Sequence, residues 1–233
     1  FGLGSDFNLD FTINPDFGQV EADPSEVNLT AFETYFSEKR PFFIEGADIL
    51  SLPVAPAITG GAFTSDRLFY SRRIGKQPSY YPDLAGDEFA RQPENTSILG
   101  AFKLAGKTAD GLSVGVLEGV TAREEAEIDQ NGARRQVAVE PTTNYLVGRV
   151  TQEWREGQSM VGAMMTSTAR DIDDEHLQFL RRKAWTGGLD LRHEFNDRKF
   201  RIEARLLGSH LRGSPESIAR LQTSSARYYQ RPD

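Results

Sequence analysis

The sequence predicts an all-β protein: a partial antiparallel outer-membrane-type β-barrel with an irregular, plug-like N-terminal segment containing one short helix. Three observations predict it. Apolar and polar residues alternate over runs of about 10–12 residues, longer than the ~5–6 of globular strands and matched to the ~9–11 that cross a bilayer at a tilt. One face of each run is apolar while the other holds glycines and charges of both signs, the polarity of a lipid-facing wall around a polar lumen. Short turns at 108–111, 155–158 and 196–198 alternate with longer connections near 123–142 and 170–183, as periplasmic turns alternate with outer loops. A water-soluble antiparallel sandwich also alternates; strand length and the placement of charge favour the membrane form.

Residues 1–14 supply the first barrel strand, in which Phe7, Leu9, Phe11 and Ile13 alternate with Asn8, Asp10, Thr12 and Asn14. Asn14-Pro15-Asp16 breaks it. Residues 15–96 lose the period and form the plug-like or loop segment. Within it Thr30-x-x-Glu33 has the form of a capping box, with Phe32, Tyr35 and Phe36 at helical spacing behind it, so a short helix is expected over about 30–38. Leu68–Ile74 reads as one more strand. A long irregular insertion is usually functional or packed by its own side chains, and the many aromatics here favour packing.

Residues 97–233 return to period 2. Ile98, Gly100, Phe102 and Leu104 share one face, and Leu112, Val114 and Val116 open the next strand. Leu146, Val150 and Trp154 then oppose Arg149, Thr151 and Glu153, and a further strand follows over Met160–Ala169. Trp185, Leu189, Leu191 and Phe195 oppose Asp190, Arg192 and Glu194, and Phe200, Ile202, Ala204 and Leu206 oppose Arg201, Glu203 and Arg205. A last strand is expected near 217–229. The aromatics Trp154, Trp185, Phe195 and Tyr228 stand near strand ends, where an interfacial girdle belongs.

Composition excludes several classes. Lys+Arg 27 against Asp+Glu 34 gives a net charge of −7, with no basic stripe to meet nucleic acid. No run approaches the ~20 apolar residues of a membrane helix. The 15 phenylalanines are too many for a disordered chain. With Cys 0 there is neither a disulfide nor a thiolate metal site. The chain opens at Phe1 without a leader and stops at Pro232-Asp233, so it reads as a fragment of a longer protein.

The candidate ligand-binding residues are those expected to line the lumen: Lys103, Arg149, Asp190, Arg192, Arg201, Glu203 and Arg205. Their mixed charge suits plug docking or a polar solute. Asp16, Glu21 and Asp23 are close enough in sequence to offer hard oxygen ligands to calcium, but they follow no standard loop spacing. Pairing of these acids with Arg72 and Arg73 is the favoured reading, so no cofactor is expected and calcium is the alternative. Lys39, Arg40 and Lys76 complete the cationic groups near aromatics and are candidates for an anionic ligand or for the same ion pairs. His176, His193 and His210 show no metal-ligand spacing, and no nucleophile elbow, phosphate loop or dinucleotide fingerprint occurs. No catalytic residue is assigned. The sequons at Asn28 and Asn95 are chance matches in a bacterial reading.

Six runs carry a family resemblance: Asn14–Pro24, Val27–Glu33, Glu38–Gly46, Phe69–Gly75, Ile98–Thr108 and Val139–Tyr145. Together they resemble the bacterial envelope family catalogued as domain of unknown function 5916, whose longer members place a carbohydrate-binding family-nine-like module before this region. The resemblance implies an outer-membrane β-barrel and supplies no catalytic residues. The 233 residues contain neither that module nor a terminal strand closing on an aromatic. The expected function is therefore non-enzymatic: surface binding or transport of a solute, glycan-related by association, in the bacterial outer membrane. Its partners would be outer-membrane lipid and a glycan or another envelope protein. The alternatives are a glycan-processing module with two carboxylates about 5–10 Å apart on one cleft, or a structural subunit of an envelope complex.

Overall fold

The computed structural model describes residues 2–3, 6–15, 36–52, 54 and 67–224. Among these residues the fold is all-β and antiparallel, with two short α-helices. Eight strands form one sheet: β1 (Gly2–Leu3), β2 (Phe7–Ile13), β4 (Ile98–Lys107), β5 (Leu112–Thr121), β8 (Thr143–Trp154), β9 (Ser159–Arg170), β10 (Lys183–Phe195) and β11 (Phe200–Arg212), hydrogen-bonded in that order. The sheet is open; no closed barrel is formed among the described residues. Its six longest strands have 10–13 residues.

Three turn segments, 108–111, 155–158 and 196–199, gather at one end of this sheet, because every strand pair is antiparallel and each of these turns joins two neighbouring strands. The connections 14–97, 122–142 and 171–182 all leave from the other end. The middle one is not an irregular loop. It folds as the hairpin β6 (Glu124–Gln130) and β7 (Ala133–Glu140), which takes β3 (Glu88–Arg91) as a third strand of a second sheet. Asn131 and Gly132, both at positive φ (52° and 88°), make the two-residue turn that strand twist favours. Arg123 closes a bidentate pair with Asp174 and so ties this hairpin to the 171–177 connection.

The described residues of the segment from 36 to 80 pack on one face of the eight-stranded sheet, here called the inner face. Phe43, Leu50, Leu52 and Ile74 of the segment share a core with Ala101, Leu117, Tyr145, Val147 and Met164 of the sheet. Glycines on the inner face make the room. A Cβ at Gly115 would sit 2.8 Å from Ile49 and Leu50, and one at Gly188 would sit 2.7 Å from Leu207 and 3.0 Å from Leu68. Leu52 and Ile74 are consequently buried almost completely.

Four local expectations differ. The described part of the expected 30–38 helix, Phe36–Glu38, is not helical. The helix α1 lies instead at Pro41–Ile44, where proline presets the first turn; residues 30–35 lie outside the described residues. Leu68–Ile74 is not a strand, because a 3-10 turn occupies Ser71–Arg73. The run expected as a last strand begins as helix α2 (Pro215–Gln222). Ser214 accepts from the Ser217 amide as N-cap, and Pro215 and Glu216 fill the first turn, so helix-start chemistry overrides the apolar pattern. Residues 225–229, with Tyr228, lie outside the described residues. A bulge between Ile98 and Gly100 turns Ile98 inward, away from the Phe102 face on which alternation had placed it.

Candidate functional site

The two faces of the large sheet have inverted polarity. By register, Phe11, Ile13, Phe102, Val150, Val161, Met165, Leu189, Leu191, Ile202 and Leu206 share the outer face. All are exposed, from 37% for Phe102 to 78% for Ile13. Most of the sheet's charges stand on the inner face; Glu118, Lys183 and Arg212 stand on the outer one. These exposed apolar residues come from six of the eight strands, far beyond the scattered apolar residues of an ordinary surface.

The inner-face charges form a chain of pairs. Lys103 Nζ lies 3.3 Å from Asp10 Oδ2 on the neighbouring strand and donates to the Phe42 carbonyl at 2.8 Å. Arg149 Nη2 donates to Asp190 Oδ2 at 2.9 Å, with 6% and 7% of the two side chains exposed. Glu153 receives Lys107 at 2.7 Å and stands 4.0 Å from Arg192. At the sheet edge Glu194 receives Arg201 at 2.6 Å, and Glu203 receives Arg205 at 2.9 Å. The structure therefore places all seven expected lining residues on one face. It brings Arg149 and Asp190 into direct contact, and leaves Arg201, Glu203 and Arg205 on the open edge strand.

Several of these groups are incompletely satisfied. Arg149 Nη1, Asp190 Oδ1 and Arg192 Nε are buried without a hydrogen-bond partner. A buried polar atom needs water, an ion or a solute to avoid a desolvation cost of about 1–3 kcal/mol. An opening of about 170 Å³ lies where β2 and β4 meet the 45–49 turn, lined by Asp6, Asn8, Asp10, Glu45 and Lys103. Both features can hold polar matter by alternating charge.

The remaining candidates disperse. Asp16, Glu21 and Asp23 lie outside the described residues, and so does any contact they make with Arg72 or Arg73. Arg72 donates to the Ser37 carbonyl at 2.9 Å. Arg40 is buried, donating to both Glu38 oxygens and to the Ile74 and Ser71 carbonyls, with its guanidinium 4.2 Å over the Phe43 ring. Burial pushes the Glu38 carboxyl up, but the hydrogen bonds from Arg40 and Ser71 and the Arg40 charge outweigh it and hold it below the usual glutamate range. Lys76 approaches Glu140 at 3.6 Å. His193 meets the Ser159 hydroxyl at 2.9 Å, His176 the Ala138 carbonyl at 2.8 Å, and His210 stacks on Trp185. Among the described residues no three His, Asp or Glu side chains gather to hold a metal ion.

Sequence reasoning passed over Glu140. Its carboxylate is buried and accepts from the Ser79 amide at 2.6 Å, anchoring the inner segment to β7. It closes a run of alternating residues after Asn131-Gly132, and that hairpin dipeptide was the available signal.

Residues 1–225 match the family model described as Domain of unknown function (DUF5916). No curated protein and no solved structure matches the chain.

Proposed function

The chain belongs to the DUF5916 family, and from that premise we propose that it forms part of the wall of a bacterial outer-membrane β-barrel that binds or passes a polar solute. The observation that carries this reading is the inverted polarity of the sheet: exposed side chains such as Ile13, Leu189 and Leu206 are apolar, while Lys103, Arg149 and Asp190 are buried. A sheet in water would bury the first set and expose the second. In a bilayer the arrangement is the stable one, with hydrocarbon on the apolar face and a polar interior. Segregation of turns from long connections supports the same reading.

Within the lumen the 36–80 segment acts as a plug, held by apolar contacts and by Lys103. The solute is recognised by alternating charges along Arg149, Asp190 and Arg192, whose unpartnered atoms supply hydrogen bonds. A glycan, rich in hydroxyls that both donate and accept, fits such a lining. The role is non-enzymatic. Membrane fractionation followed by gel migration with and without heating tests the proposal. Recovery in the outer membrane with a folded-form shift supports it; recovery as a water-soluble protein without a shift overturns it.

A further inference from the structure

We propose that the long-connection end of β9, β10 and β11 binds the phosphate groups of an anionic membrane lipid, through Lys183 and Arg212, with Arg181, Arg182 and Arg220 beside them. The inference rests on the membrane reading above. These five cations lie at one end of the sheet, with Arg170 behind them on the inner face. Lys183 and Arg212 stand directly opposite each other across β10 and β11, on the outer face. Arg170 donates from its amide to the Arg182 carbonyl at 2.8 Å and from Nη1 to the Arg181 carbonyl at 3.0 Å. Helix α2 joins them through Ser214, which donates to the Gln178 carbonyl at 2.7 Å, and brings the Arg220 guanidinium 4.8 Å over the Phe179 ring.

None of the five forms an ion pair among the described residues, although Arg123, Arg134, Arg149, Arg198, Arg201 and Arg205 all do. Asp171 and Glu216, the acids adjacent in sequence, are not paired with them. Like charges placed directly across a strand pair destabilise it unless an anion lies between them. Burial, followed by the Arg170 and Arg220 charges, pushes the Arg181 guanidinium below its ordinary range. In a chain of net charge −7, such a cluster reads as a site for an external anion.

Its position selects a lipid. Just below Lys183 and Arg212 on the outer face, Trp185 and His210 stack at 5.6 Å, with the Arg212 guanidinium 5.7 Å over the indole. That is the amphipathic layer expected at headgroup depth. Beneath it Leu189, Leu206 and Leu191 continue the wall against which acyl chains would lie. Phosphate monoesters bind Arg and Lys clusters by charge-assisted hydrogen bonds, and the wall adds burial of the chains.

The test uses the full chain carrying Trp154→Phe, so that Trp185 alone reports. It is reconstituted into vesicles of phosphatidylcholine, and of phosphatidylcholine with lipid A; in detergent it is titrated with inorganic phosphate. Lipid A should shift Trp185 emission. The double variant Lys183→Gln/Arg212→Gln should weaken that response about 25-fold, at roughly fivefold per basic side chain near an anionic surface. Lys199→Gln, at the opposite end, should leave it unchanged. Identical emission in both vesicles, or an unaffected double variant that still shows a heat-sensitive folded band, overturns the lipid site. Saturation by inorganic phosphate alone overturns the lipid assignment in favour of a free-anion site. Failure to enter phosphatidylcholine vesicles strikes the membrane reading itself, and this proposal with it.

Discussion

Arg149 on β8 and Asp190 on β10 meet at 2.9 Å across an intervening strand, and the gap that lets them meet is Gly162 of β9. Gly162 pairs with Asp190 on one side and Thr151 on the other. A Cβ there would overlap the Asp190 carboxylate and sit 3.0 Å from Thr151 Cγ2. Breaking the pair leaves an uncompensated buried charge, while replacing both partners does not. Asp190→Ala should therefore destabilise the sheet by about 3–5 kcal/mol, and Arg149→Met/Asp190→Leu should recover most of that loss. Urea midpoints of the two variants check it. Equal loss in both would show that the pair adds nothing beyond its packing.

Gly162→Ala tests the same geometry without removing a charge. The added methyl must displace Asp190, so the variant should lower stability, by an amount of the order of 1–3 kcal/mol seen for overpacked sites. Adding Asp190→Ala to it should cost less than Asp190→Ala costs alone. Strict additivity would mean that the two positions do not interact.

The inner segment should be displaced by filling the glycine positions that receive it. Leu52 is buried against the sheet near Gly188. The chain has no cysteine, so Leu52→Cys introduces a single thiol. That thiol should resist a polar maleimide in the otherwise native chain and react once Gly188→Val is added. Reaction at the same rate in both would show that the segment does not depend on this contact.

Acid should loosen the same segment at Glu38. Its folded-state carboxyl is held below the ordinary glutamate value, so it binds fewer protons folded than unfolded. The stabilisation is therefore fully present above the ordinary glutamate range and is lost as pH falls through the depressed folded value. Glu38→Gln should flatten that acid limb of the urea-midpoint profile. An unchanged profile would assign the limb to other carboxylates.

How much of this was legible depended on the range of the interactions. Alternation at Phe7–Ile13, Leu189–Leu191 and Phe200–Leu206 is local, and it placed each side chain on its observed face. The inversion at Ile98 was not readable, because a bulge adds one residue without a marker in the run. Helix α2 carried its own marker in Ser214-Pro215-Glu216, which the apolar spacing beyond it obscured. The β6–β7 hairpin was likewise signalled by Asn131-Gly132. The shared face of the seven candidate residues followed from alternation, but which of them pair did not. Arg149 and Asp190 come together through the register of two strand pairings and one missing side chain, and no single-strand pattern contains that.

The central claim is that the outer face of the sheet contacts lipid. Strand β11 tests it most directly, since both of its faces are largely exposed. Spin labels placed singly at 201 to 206, in the chain reconstituted into vesicles, should divide by face. Labels at 202, 204 and 206 should collide with oxygen dissolved in the bilayer, and those at 201, 203 and 205 with a water-soluble nickel complex. Six labels with the same aqueous accessibility would contradict the account.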